Sequence, residues 1–206
     1  MNIGIFISGS GTNMEALVRR WKEGRLPQVG KIAFVLSDRS DAAGIAKARA
    51  AGIETLVVPR RKGEPRESHE KRILDAIAPY GVGLVALAGF MRVLSPSFLG
   101  RFPGRILNIH PSLLPAFPGV DAQRQAFDHG VKVTGCTVHF VDESLDGGPI
   151  VLQRAVERRD ADTAEELRLR ILAEEHRLYG DAVDIVTAGC YHIKDRYVIT
   201  ERNHES

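Results

Sequence analysis

The feature that most constrains the fold is an alternation of short apolar runs with longer amphipathic segments. Helix-length segments separate most of the strand-like runs. Five such runs come before residue 110: Ile3–Ile7, Ile32–Leu36, Thr55–Val58, Leu84–Ala88 and Ile106–Ile109. Such an alternation is typical of parallel strands joined by helices. The run at 84–88 has no polar residue, which indicates a central strand covered on both faces. We therefore predict an α/β fold with an open, mostly parallel, twisted sheet and helices on both faces.

The pattern changes in the C-terminal part of the chain. Two strand-like stretches, 133–141 and 150–157, are joined by a loop rich in turn-forming residues, which predicts an antiparallel extension of the sheet. Thr163 and Glu166 have the spacing of a capping box, so we expect a helix from Thr163 to about Tyr179. The tail beyond that helix has no informative pattern. We expect residues 1–206 to form a single domain.

Composition excludes several classes of protein. Of the 206 residues, 44% are hydrophobic and 26% are charged, as in ordinary globular proteins rather than disordered ones. A formal net charge of +2 is too small to indicate a nucleic-acid partner. No apolar stretch has the length of a membrane span and no basic segment precedes the first strand, so we expect a cytoplasmic protein. Cys136 and Cys190 lack metal-ligand spacing, so we expect reduced thiols and no metal site.

Distinctive stretches follow three of the predicted strands. SGSGTN (8–13) follows the first strand, GFMRVL (89–94) follows the fourth, and Asn108 and His110 end the fifth. Ligands of open α/β sheets bind beyond the carboxyl ends of the strands, so these stretches should meet at one site. Asn108 and His110 lie on the same side of their strand because side chains alternate between faces. This convergence favours a functional role for the pair over a strand end that simply enters solvent.

The glycine-rich stretch opens the first predicted helix. Thr12 and Glu15 have capping-box spacing, and backbone N–H groups at a helix N-terminus form a phosphate site. We therefore predict a ligand that carries a phosphate. A dinucleotide site is one alternative, although Met14 replaces its third glycine while Asp38 could supply its ribose-binding acid. A plain tight turn is the other alternative.

Two further loops have alternative interpretations. The apolar residues Phe90, Met91, Val93 and Leu94 are either core or a slot for a flat heterocycle whose edge is read by backbone groups. Asp146, in the stretch SLDGGP, either bonds to its own turn or brings a carboxylate beside an imidazole.

The helix that follows Thr163 carries acidic residues on its apolar side. Its apolar stripe consists of Leu167, Ile171, Leu178 and Ala182. Glu174 and Glu175 fall on either side of the centre of this stripe. An acid in such a position needs a partner, which is either a basic side chain or the hydroxyl groups of a ligand.

The sequence offers no nucleophile of its own. Cys136 and His139 fall on opposite faces of their predicted strand, so a Cys–His pair is not expected. No Ser or Cys lies in a nucleophile elbow. An enzyme with this sequence takes its nucleophile from a substrate.

Four motifs together resemble one enzyme family. ISGSGTN, LAGFMRVLSP, NIHPSLLP and LDGGPIVLQ, in this order and at these intervals, are similar to the folate-dependent glycinamide ribonucleotide formyltransferases over residues 2–179. The resemblance implies a Rossmann-like formyltransferase fold. It also implies transfer of a formyl group from 10-formyltetrahydrofolate, as co-substrate, to the primary amine of glycinamide ribonucleotide in purine biosynthesis, with no metal.

The resemblance assigns roles to individual residues. It gives catalysis to Asn108, His110 and Asp146. It gives the ribonucleotide to Gly11, Thr12, Asn13, Leu172, Ala173, Glu174 and Glu175. It gives the folate to Arg66, Met91, Arg92, Val93, Leu94, Asn108, Asp142, Glu143, Ser144, Leu145 and Asp146.

These residue types suit the implied reaction. Attack of the amine on the formyl carbon places negative charge on an oxygen, which the amide N–H of Asn108 and an imidazolium of His110 can stabilise. His110 can then give its proton to the departing folate nitrogen. Asp146 would hold the ring of His110 and favour its charged form.

Other functions stay open at this point. A formyltetrahydrofolate hydrolase shares the core but carries a regulatory domain before it, and we expect none because SGSGTN begins at residue 8. A methionyl-tRNA formyltransferase needs an added RNA-binding domain, for which the chain is too short. A non-catalytic nucleotide-binding module needs the phosphate loop alone. Asp121-Ala122-Gln123 stands where some relatives carry histidines and receives no role. The oligomeric state is open, with a homodimer common for enzymes of this size.

Overall fold

The computed structural model describes residues 1–200. The strands are β1 Asn2–Ile7, β2 Lys31–Ser37, β3 Thr55–Val57, β4 Leu84–Leu87, β5 Ile106–His110, β6 Val133–Phe140, β7 Ile150–Glu157, β8 Tyr191–Lys194 and β9 Tyr197–Thr200. The α-helices are α1 Thr12–Lys22, α2 Ala43–Ala50, α3 Arg66–Ile77, α4 Pro96–Leu99, α5 Ala122–Asp128 and α6 Ala164–Ala188, and a 3₁₀ turn covers Ala78–Tyr80.

The strands form one sheet with the order β3-β2-β1-β4-β5-β6-β7-β9-β8. Strands β1 to β5 pair in parallel, whereas β6 is antiparallel to both β5 and β7. The predicted α/β fold and its antiparallel extension are confirmed. From β1 the chain adds β2 and then β3 on one side of the sheet, and it later adds β4 and then β5 on the other side. The direction in which strands are added therefore reverses between β1 and β4. A crevice outside the carboxyl ends of the strands is the usual ligand site of such a sheet.

Apolar side chains cover both faces of the sheet. Along β1, Ile3, Ile5 and Ile7 belong to one buried cluster and Phe6 to another. The first cluster includes the apolar faces of α1 and α6, and the second includes residues of α3 and α4. This double burial explains the continuous apolar runs of the central strands.

Tyr179 fixes helix α6 to the sheet. Its side chain is fully buried, and its hydroxyl lies 2.9 Å from the carbonyl oxygen of Leu87 and 3.2 Å from that of Leu107. These carbonyls belong to β4 and β5, whose ends face the crevice. Burial raises the pKa of Tyr179 well above its ordinary value, so the hydroxyl stays protonated and able to donate.

The start of α1 differs from the prediction. Gly11 is the N-cap, in a left-handed conformation with φ of 71°, and no side chain caps the helix, so the predicted Thr12–Glu15 capping box is wrong. The carboxylate of Glu15 lies 2.7 Å from the ammonium of Lys47 on α2 instead. Because the helix begins at Thr12 and Gly11 is its cap, Thr12 lies one position too late to act as the capping residue.

The start of α6 was predicted correctly and its end was not. The capping box at Thr163 and Glu166 is present. The helix continues past Tyr179 to Ala188 because Ala182, Val183 and Val186 extend its buried face, and Gly189 ends it in a left-handed conformation. The tail then forms the β8–β9 hairpin, which the sequence pattern did not indicate.

The prediction of a single domain over residues 1–206 stays a prediction, because residues 201–206 lie outside the described residues. Within residues 1–200, no helix is both long enough and apolar enough to cross a membrane.

Candidate active site

A cavity of about 750 Å³ lies beyond the carboxyl ends of β1, β4 and β5. Its walls are formed by the glycine-rich loop after β1, the loop after β4, the end of β5, the loop between β6 and β7, and helix α6. Most of the predicted site residues line it together: Gly11, Thr12, Asn13, Met91, Arg92, Val93, Leu94, Asn108, His110, Asp142, Ser144, Leu145, Asp146, Leu172 and Glu175. Stretches that are far apart in sequence therefore meet at one edge of the sheet, as predicted.

Four predicted site residues lie outside this cavity. Arg66 lines a neighbouring cavity of about 270 Å³ that shares the loop 90–94. Glu143 and Ala173 are exposed to solvent. Glu174 lies 2.8 Å from the guanidinium of Arg177. Of the two acids predicted to lie on the apolar side of this helix, Glu174 thus has a basic partner, whereas Glu175 faces the cavity.

We name the cluster of Asn108, His110, His139 and Asp146 the catalytic corner, because the sequence predicts a catalytic role for three of these residues. Asn108 and His110 lie on β5, and the antiparallel pairing of β5 with β6 places His139 directly opposite Asn108. Asp146, at φ of 50° in the turn after β6, brings its carboxylate to the same point. Its Oδ2 lies 3.5 Å from Nδ1 of His110, and its Oδ1 lies 3.9 Å from Nε2 of His139.

Asp146 and His110 each have a second, fixed partner. The backbone N–H of Gly119 donates to Oδ2 of Asp146 at 2.7 Å. The Nε2–H of His110 donates to the carbonyl of Phe117 at 2.9 Å. Both ring nitrogens of His110 therefore face oxygen acceptors, an arrangement complementary to a ring with two N–H groups. The carboxylate is braced by another loop, and its contacts extend beyond its own turn.

His139 orients Asn108. The Nδ1–H of His139 donates to the carbonyl of Phe140 at 2.8 Å, which leaves the lone pair on Nε2. That nitrogen accepts a hydrogen bond from Nδ2 of Asn108 at 3.2 Å. Burial lowers the pKa of His139, so the neutral acceptor form is favoured. One amide N–H of Asn108 is thereby held, and the other is left for a ligand.

Sequence reasoning considered His139 only as a partner for Cys136 and gave it no role. Burial raises the pKa of the Cys136 thiol to about 12, and the thiol packs in the core. The available signal was a histidine within a predicted strand, but its use depended on knowing the β5–β6 register.

We name the group of Gly11, Thr12, Asn13 and Glu175 the phosphate end of the cavity, because the sequence predicts that a phosphate binds there. Because no side chain caps α1, the amide N–H groups of its first turn have no side-chain acceptor. A Cβ on Gly11 would lie 2.8 Å from Cα of Gly44, in a conformation that L side chains rarely adopt. The glycine therefore lets the loop pack closely against α2 and turn its amides into the cavity.

Asn13 joins the phosphate end to α6. Its Nδ2 donates to Oε2 of Glu175 at 2.7 Å, and its Oδ1 is buried with no hydrogen-bond partner among residues 1–200. Glu175 is only 4% exposed, and burial raises its pKa, although the bond from Asn13 and the charge of Arg168 oppose the rise. Arg168 also lines the cavity, and no sequence pattern pointed to it.

In the loop after β4, each of the two alternative interpretations applies to different residues. Phe90 and Leu94 are buried in the core, whereas Met91 and Val93 are exposed at the cavity rim. Asp38 does not face a ribose site: its carboxylate accepts hydrogen bonds from Ser8 and Arg92. Among residues 1–200, no group of three or more His, Cys, Asp or Glu side chains is arranged to hold a metal ion.

Comparison with known proteins points in one direction. Residues 1–183 match the formyl transferase family. The chain is 40% identical to phosphoribosylglycinamide formyltransferase of Escherichia coli, over 87% of this chain and 84% of that protein. It is 42% identical to the Bacillus subtilis enzyme of the same name, over 87% of this chain and 91% of that protein. Glycinamide ribonucleotide transformylase 1 of Symbiobacterium toebii has a similar crystal structure, with 50% identity, a TM-score of 0.93, and coverage of 97% of this chain and 93% of that one.

Proposed function

The chain belongs to the formyl transferase family, and we propose that it transfers the formyl group of 10-formyltetrahydrofolate to the primary amine of glycinamide ribonucleotide. The reaction is a step of purine biosynthesis. The similarity to phosphoribosylglycinamide formyltransferases over most of both chains supports this activity. Two free thiols, one buried and one exposed, are consistent with a cytoplasmic location.

The catalytic corner is the observation that carries the proposal. A module that only bound nucleotides would need the phosphate end, but it would have no use for Asn108, His110 and Asp146 gathered at the other end of the cavity. The cavity is large enough to hold a donor and an acceptor side by side.

In the proposed reaction the substrate amine is the nucleophile. Its nitrogen bonds to the formyl carbon, and the carbonyl oxygen gains negative charge. Asn108 stabilises that oxygen with its second amide N–H, which is aimed by the hydrogen bond of the first to His139. His110 contributes a second donor through Nδ1–H, because its Nε2–H is bonded to the carbonyl of Phe117 and its Nδ1, 3.5 Å from Asp146, is not held by a short hydrogen bond. No side chain of the protein has to form a covalent bond with the formyl group.

The proton balance involves His110 and Asp146. The bond between the formyl carbon and the folate nitrogen breaks, and that nitrogen takes the proton on Nδ1 of His110, since Nε2–H stays bonded to Phe117. The attacking amine loses a proton in the same reaction, and transfer of that proton to His110 restores the imidazolium. Asp146, 3.5 Å from the ring, stabilises the charged imidazole electrostatically.

We assign the two substrates to opposite parts of the cavity. The phosphate of the ribonucleotide would bind the amides of Gly11, Thr12 and Asn13, with Glu175 accepting from ribose hydroxyls. The folate would lie between residues 91–94 and 142–146, with its acidic tail directed towards Arg66. A homodimer stays a prediction, which sedimentation would test.

Competition among acceptors tests the proposal. We expect 10-formyltetrahydrofolate to be consumed with glycinamide ribonucleotide and not with methionyl-tRNA or water alone, as followed by absorbance. Equal turnover without an acceptor would instead identify a hydrolase. His110→Ala serves as the control, since its turnover should fall roughly 10²–10⁴-fold, towards the rate of spontaneous decay of the donor.

A further inference from the structure

The rim loop, Gly89–Ser95, is a part of the cavity wall that regular secondary structure does not hold. Within residues 1–200, residues 90–94 make no backbone-to-backbone hydrogen bond. Met91 is 69% exposed and Val93 is 59% exposed, so the apolar side chains of the loop that pack in the core are those of Phe90 and Leu94 at its two ends. A segment without such bonds needs other partners if it is to keep one conformation.

The first anchor is Asp38, at the end of β2. Its side chain is 1% exposed, and its Oδ2 accepts from Nε of Arg92 at 2.6 Å. Its Oδ1 accepts from the hydroxyl of Ser8 at 2.6 Å, and that hydroxyl accepts from the backbone N–H of Met91 at 2.9 Å. One buried carboxylate thus holds both the backbone and a side chain at the start of the loop.

The second anchor is Glu70, on α3. It is 4% exposed, and its Oε1 accepts from the backbone N–H of Ser95 at 2.8 Å. Its Oε2 accepts from the hydroxyl of Ser95, which also caps α4 by accepting from the N–H of Phe98 at 3.2 Å. A second buried carboxylate therefore holds the end of the loop.

We propose that Asp38 and Glu70 are positioning residues that hold the rim loop in the conformation that binds the formyl donor. A carboxylate suits this task because its two oxygens accept from two donors at once and donate to none. The peptide groups of Arg92, Val93 and Leu94 stay free to meet a heterocycle. A loop that is ordered before binding loses less entropy when the ligand arrives. The inference rests on the proposed function, in which this loop contacts the folate.

Asp38→Asn and Glu70→Gln test the proposal, because each keeps the side-chain volume but turns an acceptor into an amide donor. Each should raise KM for 10-formyltetrahydrofolate about tenfold, while KM for glycinamide ribonucleotide changes less than twofold. Asp41→Asn and Asp75→Asn are matched controls, since these carboxylates form exposed pairs with Arg39 and Lys71 beside the same elements. Neither control should change either KM.

Equal rises in both KM values, or none, would overturn the positioning role. If the two variants fail to fold, as judged by circular dichroism, Ser8→Ala replaces them, since it removes only the hydroxyl between Asp38 and Met91. It should raise KM for the folate alone, and an unchanged folate KM would refute the proposal. Wild-type enzyme without ribonucleotide-dependent turnover would refute the proposed function instead. Calorimetric titration of 10-formyltetrahydrofolate into wild type and variants, without acceptor, would then judge the rim loop separately.

Discussion

The phosphate end and the catalytic corner belong to one cavity but are built from different parts of the chain. At the phosphate end the available groups are backbone amides, exposed by a left-handed glycine, with one buried carboxylate beside them. At the catalytic corner the groups are four side chains that contact one another and two loop peptides. The phosphate end therefore depends on chain geometry, whereas the catalytic corner depends on side-chain identity.

This difference determines which substitutions are informative. At the catalytic corner, a side chain can be changed while the strands stay paired. At Gly11, any side chain strains a backbone with φ of 71° and meets Gly44, so a loss of phosphate binding in Gly11→Val would not separate folding from recognition. Variants that test the difference between the two ends must therefore change functional side chains and leave the glycine backbone unchanged.

The largest effect is expected at His110 and Asp146. His110→Ala and Asp146→Asn should each lower kcat by roughly 10²–10⁴-fold, the usual range for a positioned acid or base. The double variant should be little worse than either single one, because residues that act as a unit are not additive. Steady-state kinetics of the four proteins measure this. Fully additive losses would show that Asp146 only braces the loop at Gly119.

A smaller effect is expected at His139. His139→Ala removes the acceptor that aims Asn108, and an unpaired buried amide costs about 1–3 kcal/mol, so kcat should fall roughly 10–100-fold with little change in KM. Wild-type kcat should also fall in acid, because protonated Nε2 would face Asn108 as a donor. Since burial lowers the pKa of His139, that fall should begin below the ordinary histidine range near 6.5. A pH–kcat profile without this limb would separate His139 from the reaction.

The smallest effect is expected at Glu175, where the phosphate end has its one buried acid. Glu175→Gln should raise KM for the ribonucleotide about 2–10-fold, the cost of one weakened hydrogen bond, and leave KM for the folate unchanged. Kinetics with each substrate varied in turn provide the measurement. A lower melting temperature with unchanged kinetics would indicate a structural role.

The pKa shift of Glu175 adds a stability test with a definite sign. Burial raises its pKa above the ordinary 4.5, so the folded protein holds a proton that the unfolded chain releases. This contribution is fully present below pH 4.5 and is lost as pH rises through the raised pKa. Melting temperatures measured across that window should fall more for the wild type than for Glu175→Gln, which has no proton to lose. Parallel curves would contradict the assignment.

The two ends also differ in how far the sequence alone could predict them. Strands and the meeting of three loops followed from apolar periodicity and the rule for ligands of open sheets, both of which are local or topological. The Thr12–Glu15 capping box failed because Gly11, packed against Gly44 of α2 in a left-handed conformation, is the N-cap instead of Thr12. The role of His139 depended on the β5–β6 register, and the end of α6 depended on which core its last turns meet. Contacts between distant segments decided each of these features.

Helix α6 also gives the cavity a fixed length. Tyr179 fastens the helix to β4 and β5, and Glu175 lies one turn before it, about 6 Å along the axis. The distance from Glu175 to Asn108 is therefore fixed by the packing of α6 against the sheet. An acceptor whose amine is one atom too near or too far from its sugar would bind at the phosphate end but miss the formyl carbon. We therefore expect the length of the acceptor to affect kcat more than KM.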